Sequence, residues 1–217
     1  MLPGPRTVFL AASALPLEAR LHLAVRRWSA PWSRVVEALE GEGTLLDVGC
    51  GPGLLAFLLD ARGIRGSYVG IDPDARKVSR ARTWLGGRPR RTFLSCELSE
   101  LHGESFDAVS VVDVLYLVPR DARAVFVAGI VARLASGGRV VVLTSGGGPR
   151  WKRLLDRLQE RLVVAVLGWT RGSAVDPCDG AEVAALLAAA GVVDVHVEDA
   201  GAGFLHGFEL VSGRKKR

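Results

Sequence analysis

The segment at residues 44–53, TLLDVGCGPG, constrains the fold of this chain more than any other part of its sequence. It is a short apolar run with a carboxylate near its end, and it passes at once into a turn with glycine at every second position. The apolar run at 54–59 then predicts a helix. A strand that leads into a glycine-rich turn and a helix N-terminus is the first unit of a nucleotide-binding α/β domain, because glycine lets a ligand approach the backbone.

A second strand is predicted to end in an acid about twenty residues further along the chain. Residues 68–72, YVGID, have the apolar pattern of a strand and end at Asp72. An acid at this position in a nucleotide-binding domain binds the two hydroxyl groups of a ribose. The two segments together therefore predict a ligand that contains adenosine.

Asp47 distinguishes between the ligands that such a turn could bind. Its carboxylate lies two residues before the first glycine, where it would repel the pyrophosphate of a dinucleotide and attract an ammonium or sulfonium group. The glycine spacing also departs from the G-x-G-x-x-G pattern of dinucleotide sites. Both observations favour S-adenosylmethionine and count against a nicotinamide-dependent enzyme, which stays an alternative.

At this point the motifs between residues 44 and 144 resemble those of the class I S-adenosylmethionine-dependent methyltransferases. LLDVGCGPG at 45–53 is similar to the first motif of the family, and YVGIDPD at 68–74 is similar to its acidic second motif. Residues 93–98 lie where the family places the residues that flank adenine. Residues 106–116 resemble the fourth strand of the family and the loop at its catalytic face.

The resemblance implies a cofactor site for S-adenosylmethionine, with S-adenosylhomocysteine as the product. Asp47 and the glycine turn would line the methionine end of the cofactor, and Asp72 would bind the ribose hydroxyls. Glu97 would approach the adenine amino group, with the Leu98 amide nearby. The predicted cofactor-binding residues are Asp47, Gly49, Cys50, Gly51, Gly53, Asp72, Pro73, Glu97, Leu98 and Asp113.

Three residues are predicted to be catalytic: Asp113, Tyr116 and His206. Methyl transfer requires mainly that the acceptor and the methyl group be held in line, which can supply roughly 7–11 kcal/mol. A general base is optional and adds about 10²- to 10⁴-fold. Asp113 and Tyr116 follow the fourth strand, and His206 precedes the last strand at the same edge. A structural role as a turn residue bonded to the backbone stays open for His206, and a role that only positions the cofactor stays open for Asp113. No Cys/His cluster has metal-ligand spacing, so no metal is predicted.

The order of elements predicts a doubly wound, seven-stranded, mostly parallel sheet in a three-layer α/β/α sandwich with additional N-terminal helices. The last two strands are expected to form a C-terminal antiparallel hairpin. Ser136 stands in the turn before the fifth strand where the family usually has proline, and the two following glycines still allow the turn. Strands are predicted at 44–48, 67–71, 91–95, 106–112, 138–144, 192–198 and 206–212, with helices at 53–62, 74–84, 120–135 and 180–190.

The chain is predicted to form a single domain, since 217 residues with 49% hydrophobic residues can bury one sizeable core. Four parts are expected within it. They are a helical cap at 1–43, a cofactor-binding core at 44–148, an inserted helix at 149–178, and the last helix and hairpin at 179–217.

Two segments outside the core pattern are expected to carry substrate choice. Within 17–39, one predicted helical face contains Leu17, Leu21, Val25 and Trp28, and a second contains Trp32, Val35, Val36 and Leu39. The stripe at 149–169 becomes apolar on all sides in its second half. Packing on the sheet and a lid over the active site both stay open for 17–39. Core packing, a homodimer seam, an acceptor tunnel and contact with a membrane surface stay open for 149–169.

Charge and cysteine usage restrict the setting of the protein. The formal net charge is +5, but the arginines are scattered, and the only dense basic run is at 214–217. That run is interpreted as a solvated tail, with contact to phosphate or anionic lipid as the alternative.

The three cysteines form no C-x-x-C pair, which is typical of a reduced cytosolic protein. No segment reaches the roughly 18 to 20 apolar residues of a membrane span, so a cytoplasmic protein is expected, with membrane association left open.

The function that these observations favour is methyl transfer to a small hydrophobic acceptor, such as a lipid-, quinone- or polyketide-like compound, with oxygen as the favoured atom. No Asn-Pro-Pro-Tyr or Asp-Pro-Pro-Tyr run follows the fourth strand, which counts against enzymes that methylate amino groups of nucleic acids and glutamine. Nucleic acid is therefore not an expected partner. An RNA or protein methyltransferase stays an alternative because of the basic balance. The second alternative is a non-catalytic partner subunit that binds S-adenosylmethionine.

Overall fold

The computed structural model describes residues 16–20, 30–103, 105–145, 176–204 and 207–217. Within them the chain forms a seven-stranded sheet with the order β3-β2-β1-β4-β5-β7-β6. The strands are Thr44–Val48 (β1), Ser67–Ile71 (β2), Arg91–Leu94 (β3), Phe106–Val112 (β4), Leu134–Ser145 (β5), Val192–Asp199 (β6) and Phe208–Lys215 (β7). The helices are Trp32–Ala38 (α1), Leu54–Arg62 (α2), Ala75–Leu85 (α3), Arg123–Ala132 (α4) and Gly180–Ala189 (α5).

The sheet is parallel except for β7, which runs antiparallel to both β5 and β6. One core lies between the sheet and helices α1, α2 and α3, and the other lies between the sheet and helices α4 and α5. The central strands β1 and β4 have nearly continuous apolar sequences because both of their faces are covered. The predicted fold class, a doubly wound sheet with a C-terminal antiparallel hairpin, is confirmed.

The last strand differs from its prediction in a way that changes the interpretation of the basic C-terminus. It spans Phe208–Lys215 rather than 206–212, so the basic run begins inside β7. Arg214 donates hydrogen bonds to the Gly137 carbonyl at 2.8 Å and to the Glu42 carboxylate at 2.9 Å. Lys215 donates to the Leu134 carbonyl at 2.8 Å. The first half of the run is therefore part of the sheet and not a solvated tail.

The N-terminal segments agree with the predicted stripes only in part. Trp32, Val35, Val36 and Leu39 are buried in the core, which agrees with the packing interpretation of the second stripe. Leu17, on the first stripe, has a side chain that is 76% exposed, while Ala19 is buried. The remaining residues of that stripe and the predicted helix at 149–169 lie outside the described residues.

None of the helices among the described residues is long and apolar enough to span a membrane. The same residues contain no group of histidine, cysteine and acidic side chains arranged to hold a metal ion.

Arg123, at the start of α4, joins two segments that are distant in sequence. Its side chain is 1% exposed and donates to the Glu182 carboxylate at 2.8 Å. It also donates to the main-chain carbonyls of Val118, Asp176 and Pro177. Because all of these acceptors are fixed, the buried guanidinium is fully compensated and holds the loop after β4 against the residues that lead into α5.

We expect Arg123→Met to lower the free energy of unfolding by about 3 kcal/mol, because the change leaves Glu182 and three carbonyls without their donor. Urea denaturation measures the effect. Arg120→Met is the matched control, since Arg120 approaches the same Glu182 carboxylate at 3.9 Å but is 75% exposed. The control should change stability by less than about 0.5 kcal/mol. Equal losses in the two variants would contradict the assignment of the clamp to Arg123.

Candidate functional site

The glycine turn follows β1 directly and leads into α2. The backbone amides of Gly49 and Cys50 both donate to the Ile71 carbonyl, at 2.8 and 3.0 Å, and so hold the turn against the end of β2. Gly49, Gly51 and Gly53 have φ angles of 78°, 54° and 87°, in the left-handed region. Glycine at every second position suits this turn because residues with a β-carbon adopt such positive φ angles only at a cost.

Gly49 and Gly51 need glycine for different reasons. A β-carbon on Gly49 would lie 2.4 Å from Cγ2 of Val114, so Gly49 lets the loop after β4 pack directly on the turn. A β-carbon on Gly51 would meet nothing within 4 Å. The backbone of Gly51 therefore faces open space that a ligand can enter, which fits the predicted cofactor approach.

Asp72 lies beside this open glycine, immediately after β2. Its Oδ2 accepts a hydrogen bond from the Gly51 amide at 3.0 Å, and its Oδ1 accepts one from the Asp74 amide at 2.9 Å. The carboxylate thus joins the glycine turn to the start of α3, where Asp74 caps the helix by accepting from the Arg76 amide. Pro73 between them is exposed.

The surroundings of Asp47 differ from those that the sequence predicts. Asp47 is 3% exposed, and both of its carboxylate oxygens are used within the sheet. Oδ2 accepts from the Tyr68 hydroxyl on β2 at 2.6 Å, and Oδ1 accepts from the Ser110 hydroxyl on β4 at 2.8 Å. The side chain that was expected to line the methionine end therefore joins three strands below the turn, and its contact with a cofactor stays a prediction.

Burial raises the pKa of Asp47 to about 6; the hydrogen bonds from Tyr68 and Ser110 oppose this effect, and the nearby charge of Asp72 adds to it. Burial also raises the pKa of the Tyr68 hydroxyl. Tyr68 and Ser110 are not among the predicted site residues. The available signal is the position of Ser110 within the otherwise apolar run at 108–112 of β4, directly opposite Asp47 in the sheet register.

Cys50 fills the space between the turn and β2. A β-carbon on Gly70 would lie within 2.9 Å of both Cys50 and the Tyr68 ring, so Gly70 is needed for these side chains to cross the strand. Burial, followed by the charges of Asp47 and Asp72, raises the pKa of the Cys50 thiol far above its ordinary value. The side chain is therefore a neutral packing group, because only a thiolate would act as a nucleophile.

Glu97 and Leu98 follow β3 at the same edge of the sheet. Glu97 is exposed and starts a short 3₁₀ turn, Leu98–Glu100, in which the Glu97 and Glu100 side chains accept from each other's backbone amides. Leu98 is buried and packs against Gly129 of α4. Both residues thus have structural contacts, and the predicted contact of Glu97 with adenine stays a prediction.

The loop after β4 carries the other predicted catalytic residues. Asp113 has a left-handed backbone, with φ of 61°, and its amide donates to the Leu143 carbonyl at 3.0 Å. Tyr116 is partly buried in the 3₁₀ turn Leu115–Leu117, and its carbonyl accepts from the Asp176 amide at 3.2 Å. The structure therefore places Asp113 and Tyr116 at the edge that contains Gly51 and Asp72. His206 lies outside the described residues.

The chemistry available at this edge is that of an acidic site with an open backbone. Parallel strands end together here, and ligands of such sheets bind beyond these strand ends. The acids that follow the strands are Asp72, Asp74, Glu97, Glu100 and Asp113. Such a set favours a ligand that carries positive charge over one that carries phosphate.

Residues 45–138 match the model of a protein family described as "Methyltransferase domain". Comparison of the sequence with curated proteins finds no significant match. The family match covers the glycine turn, the acid after β2 and the loop after β4, which are the parts of the chain that form the candidate site.

Solved methyltransferase structures share the fold. An O-methyltransferase family protein from Burkholderia thailandensis is 19% identical with a TM-score of 0.66, and the match covers 85% of this chain and 55% of that one. Human N-acetylserotonin methyltransferase, solved in complex with SAM, is 19% identical with a TM-score of 0.67, covering 88% and 53%. The chain thus spans about half the length of these two proteins. The N-methyltransferase NodS from Bradyrhizobium japonicum WM9 is 18% identical with a TM-score of 0.62, covering 90% and 97%.

We expect Asp47 to make folding stability depend on pH. Between about pH 4 and pH 6 the folded protein retains a proton on Asp47 that the unfolded chain releases, so stability falls as the pH rises through this window. The test is to measure the free energy of unfolding of the wild type and of Asp47→Asn at pH 4 and at pH 7. Between these two pH values the wild type should lose about 2–3 kcal/mol more than the variant. Parallel pH profiles for the two proteins would contradict the assigned pKa.

Proposed function

We propose that the chain carries a class I S-adenosylmethionine-dependent methyltransferase domain and that it methylates a small hydrophobic acceptor at oxygen. S-adenosylmethionine is the donor, and S-adenosylhomocysteine is the product. The observation that carries the proposal is the position of the Asp72 carboxylate beside the open backbone of Gly51.

Asp72 is suited to hold the ribose of the donor. Each of its oxygens accepts one hydrogen bond from a backbone amide, and each has a further lone pair that can accept from a second donor. The two amides fix the carboxylate in place, so no side-chain entropy is lost when hydroxyl groups bind. Hydrogen bonds to a charged acceptor contribute about 1.5–3 kcal/mol, which makes Asp72 a dominant source of affinity.

The methionine end of the donor carries an ammonium group and a sulfonium group, and the sulfonium supplies an already activated methyl group. Gly51 provides open main chain beside this position, while the Asp47 carboxylate below the turn adds negative potential when it is ionised. The task left to the protein is to align an acceptor with the methyl group. These features support binding of a cation and give no advantage to a dinucleotide.

The loop after β4 is the proposed acceptor side of the site. Its packing on Gly49 through Val114 and its attachment to Asp176 through Tyr116 hold it at the cofactor edge. Leu117 in the same loop is 49% exposed, which offers apolar surface to a hydrophobic acceptor. Asp113, Tyr116 or His206 would remove a proton from the acceptor where its chemistry requires one.

Nitrogen is the second candidate atom, and the likeness to the N-methyltransferase NodS supports it. RNA or protein methylation and a non-catalytic role as a partner subunit are the remaining alternatives. They differ from the main proposal in where a transferred methyl group would be found.

We expect label from methyl-labelled S-adenosylmethionine to enter the organic phase when the protein is incubated with a cell extract and the mixture is partitioned. Heat-inactivated protein is the control for background transfer. Label in the RNA or protein fraction would replace the small acceptor with a macromolecule. An absence of transfer to every fraction, with donor binding intact, would favour the partner subunit.

We expect Asp72→Asn to weaken binding of S-adenosylhomocysteine at least tenfold, because the ribose loses a charged acceptor while one oxygen remains for a backbone amide. Isothermal titration calorimetry measures the affinity. Asp74→Asn is the matched control, since it removes one negative charge from the same loop and retains the helix cap. The control should stay within threefold of the wild type. Equal affinities for all three proteins would overturn the site assignment.

A further inference from the structure

Nine of the arginines that are scattered along the sequence lie at the edge of the sheet opposite the cofactor site. In a parallel sheet every loop from a helix into a strand lies at the amino ends of the strands, and the antiparallel β7 brings the C-terminus there as well. The carboxylates that pair with basic residues at this edge are Glu40, Glu42 and Asp60. The basic residues are Arg62, Arg65, Arg88, Arg90, Arg91, Arg133, Arg139, Arg214, Lys215, Lys216 and Arg217.

A cavity of about 450 Å³ lies within this basic edge. Its walls are the loop from α2 into β2, at residues 63–65, and the loop from α3 into β3, at residues 88–91, with Asp60 of α2 between them. Four arginines and one carboxylate therefore surround the cavity. A volume of this size is in the range of small-ligand sites, which is roughly 300–1,000 Å³.

Two of the arginines are fixed by Asp60. The Arg91 side chain is buried and donates to Asp60 Oδ1 at 2.5 and 2.9 Å, and also to the carbonyls of Gly66 and Ile64. Arg88 donates to Asp60 Oδ2 at 3.1 Å, and its guanidinium lies over the Phe57 ring at 5.7 Å. Arg91 uses its donors internally, whereas Arg88 is held in place with donors remaining for a ligand.

Arg65 and Arg90 supply the charge that Asp60 does not compensate. Both are exposed, and neither forms an ion pair with a carboxylate of the described residues. Arg90 Nη1 donates to the Arg65 carbonyl at 3.4 Å, and both residues line the cavity. The Arg65 guanidinium and the remaining donors of Arg90 are therefore available to an anion.

The backbone of Arg90 has φ of 62°, a left-handed conformation that costs an arginine about 1 kcal/mol relative to glycine. The conformation is held because the Arg90 carbonyl accepts from the Tyr68 amide at 2.9 Å and from Arg91. Glycine would adopt it without cost, but only arginine brings a guanidinium to the cavity wall.

We propose that this cavity binds a phosphate group, carried either by a free phosphorylated small molecule or by an anionic lipid headgroup. Arginine is suited to phosphate because its planar fork donates two parallel hydrogen bonds to the oxygens. Arg65, Arg88 and Arg90 contact the phosphate, and Asp60 and Arg91 hold the walls of the cavity in place. The site is separate from the methyl-transfer site, so its failure would leave the proposed function untouched.

The test measures binding of inorganic pyrophosphate by calorimetry at an ionic strength of about 0.15 M, where non-specific attraction is screened. The variant combines Arg65→Gln with Arg90→Gly, and the glycine preserves the left-handed backbone. The control combines Arg80→Gln with Arg120→Gln, which removes two exposed charges away from the cavity. Pyrophosphate should bind the wild type and the control within twofold of each other and bind the cavity variant at least tenfold more weakly.

The second arm distinguishes the two sources of phosphate by sedimentation with phosphatidylcholine vesicles that contain phosphatidic acid. Co-sedimentation that pyrophosphate competes away, and that the cavity variant loses, supports a lipid headgroup. Pyrophosphate binding without co-sedimentation supports a free phosphorylated molecule. Failure of the wild type to bind either probe would overturn the proposal, as would equal losses in the cavity variant and the control.

Discussion

The buried carboxylate of Asp47 is the contact on which the cofactor edge depends. It accepts from Tyr68 and Ser110 and so joins β1 to both of its neighbours directly below the glycine turn. A carboxylate in an apolar sheet is tolerated only with such donors, because an uncompensated buried charge is very costly. The contact in turn needs Gly70, since a side chain there would occupy the space of Cys50 and the Tyr68 ring.

The topology of the sheet separates the molecule into two chemically different edges. Parallel strands place their acids, among them Asp72 and Asp113, at one edge together with the glycine turn. The loops that enter the strands, with the helix ends before them and the end of β7, place nine arginines at the other edge. A modest net charge of +5 therefore conceals a dipolar arrangement, with an edge that attracts cations opposite an edge that attracts anions.

Much of the fold could be predicted because its signals are local. Strands β1, β2 and β4 have the predicted bounds, since each is a short apolar run that a turn or loop terminates. The environment of single side chains was less predictable. Leu17 is exposed despite its apolar pattern, and Glu97 caps a 3₁₀ turn together with Glu100. Arg214 lies within a strand and donates to Glu42, a neighbour that is distant in sequence.

The sequence by itself determined the order of strands and helices, the glycine turn and the acid at Asp72, because apolar periodicity and glycine act over a few adjacent residues. Only the tertiary structure decided that Asp47 is buried against Tyr68 and Ser110, and that Arg65 and Arg90 share a cavity. Both arrangements bring together residues from separate loops or strands through sheet pairing. Hydrogen bonding and charge depend on such distances, and a linear pattern does not contain them.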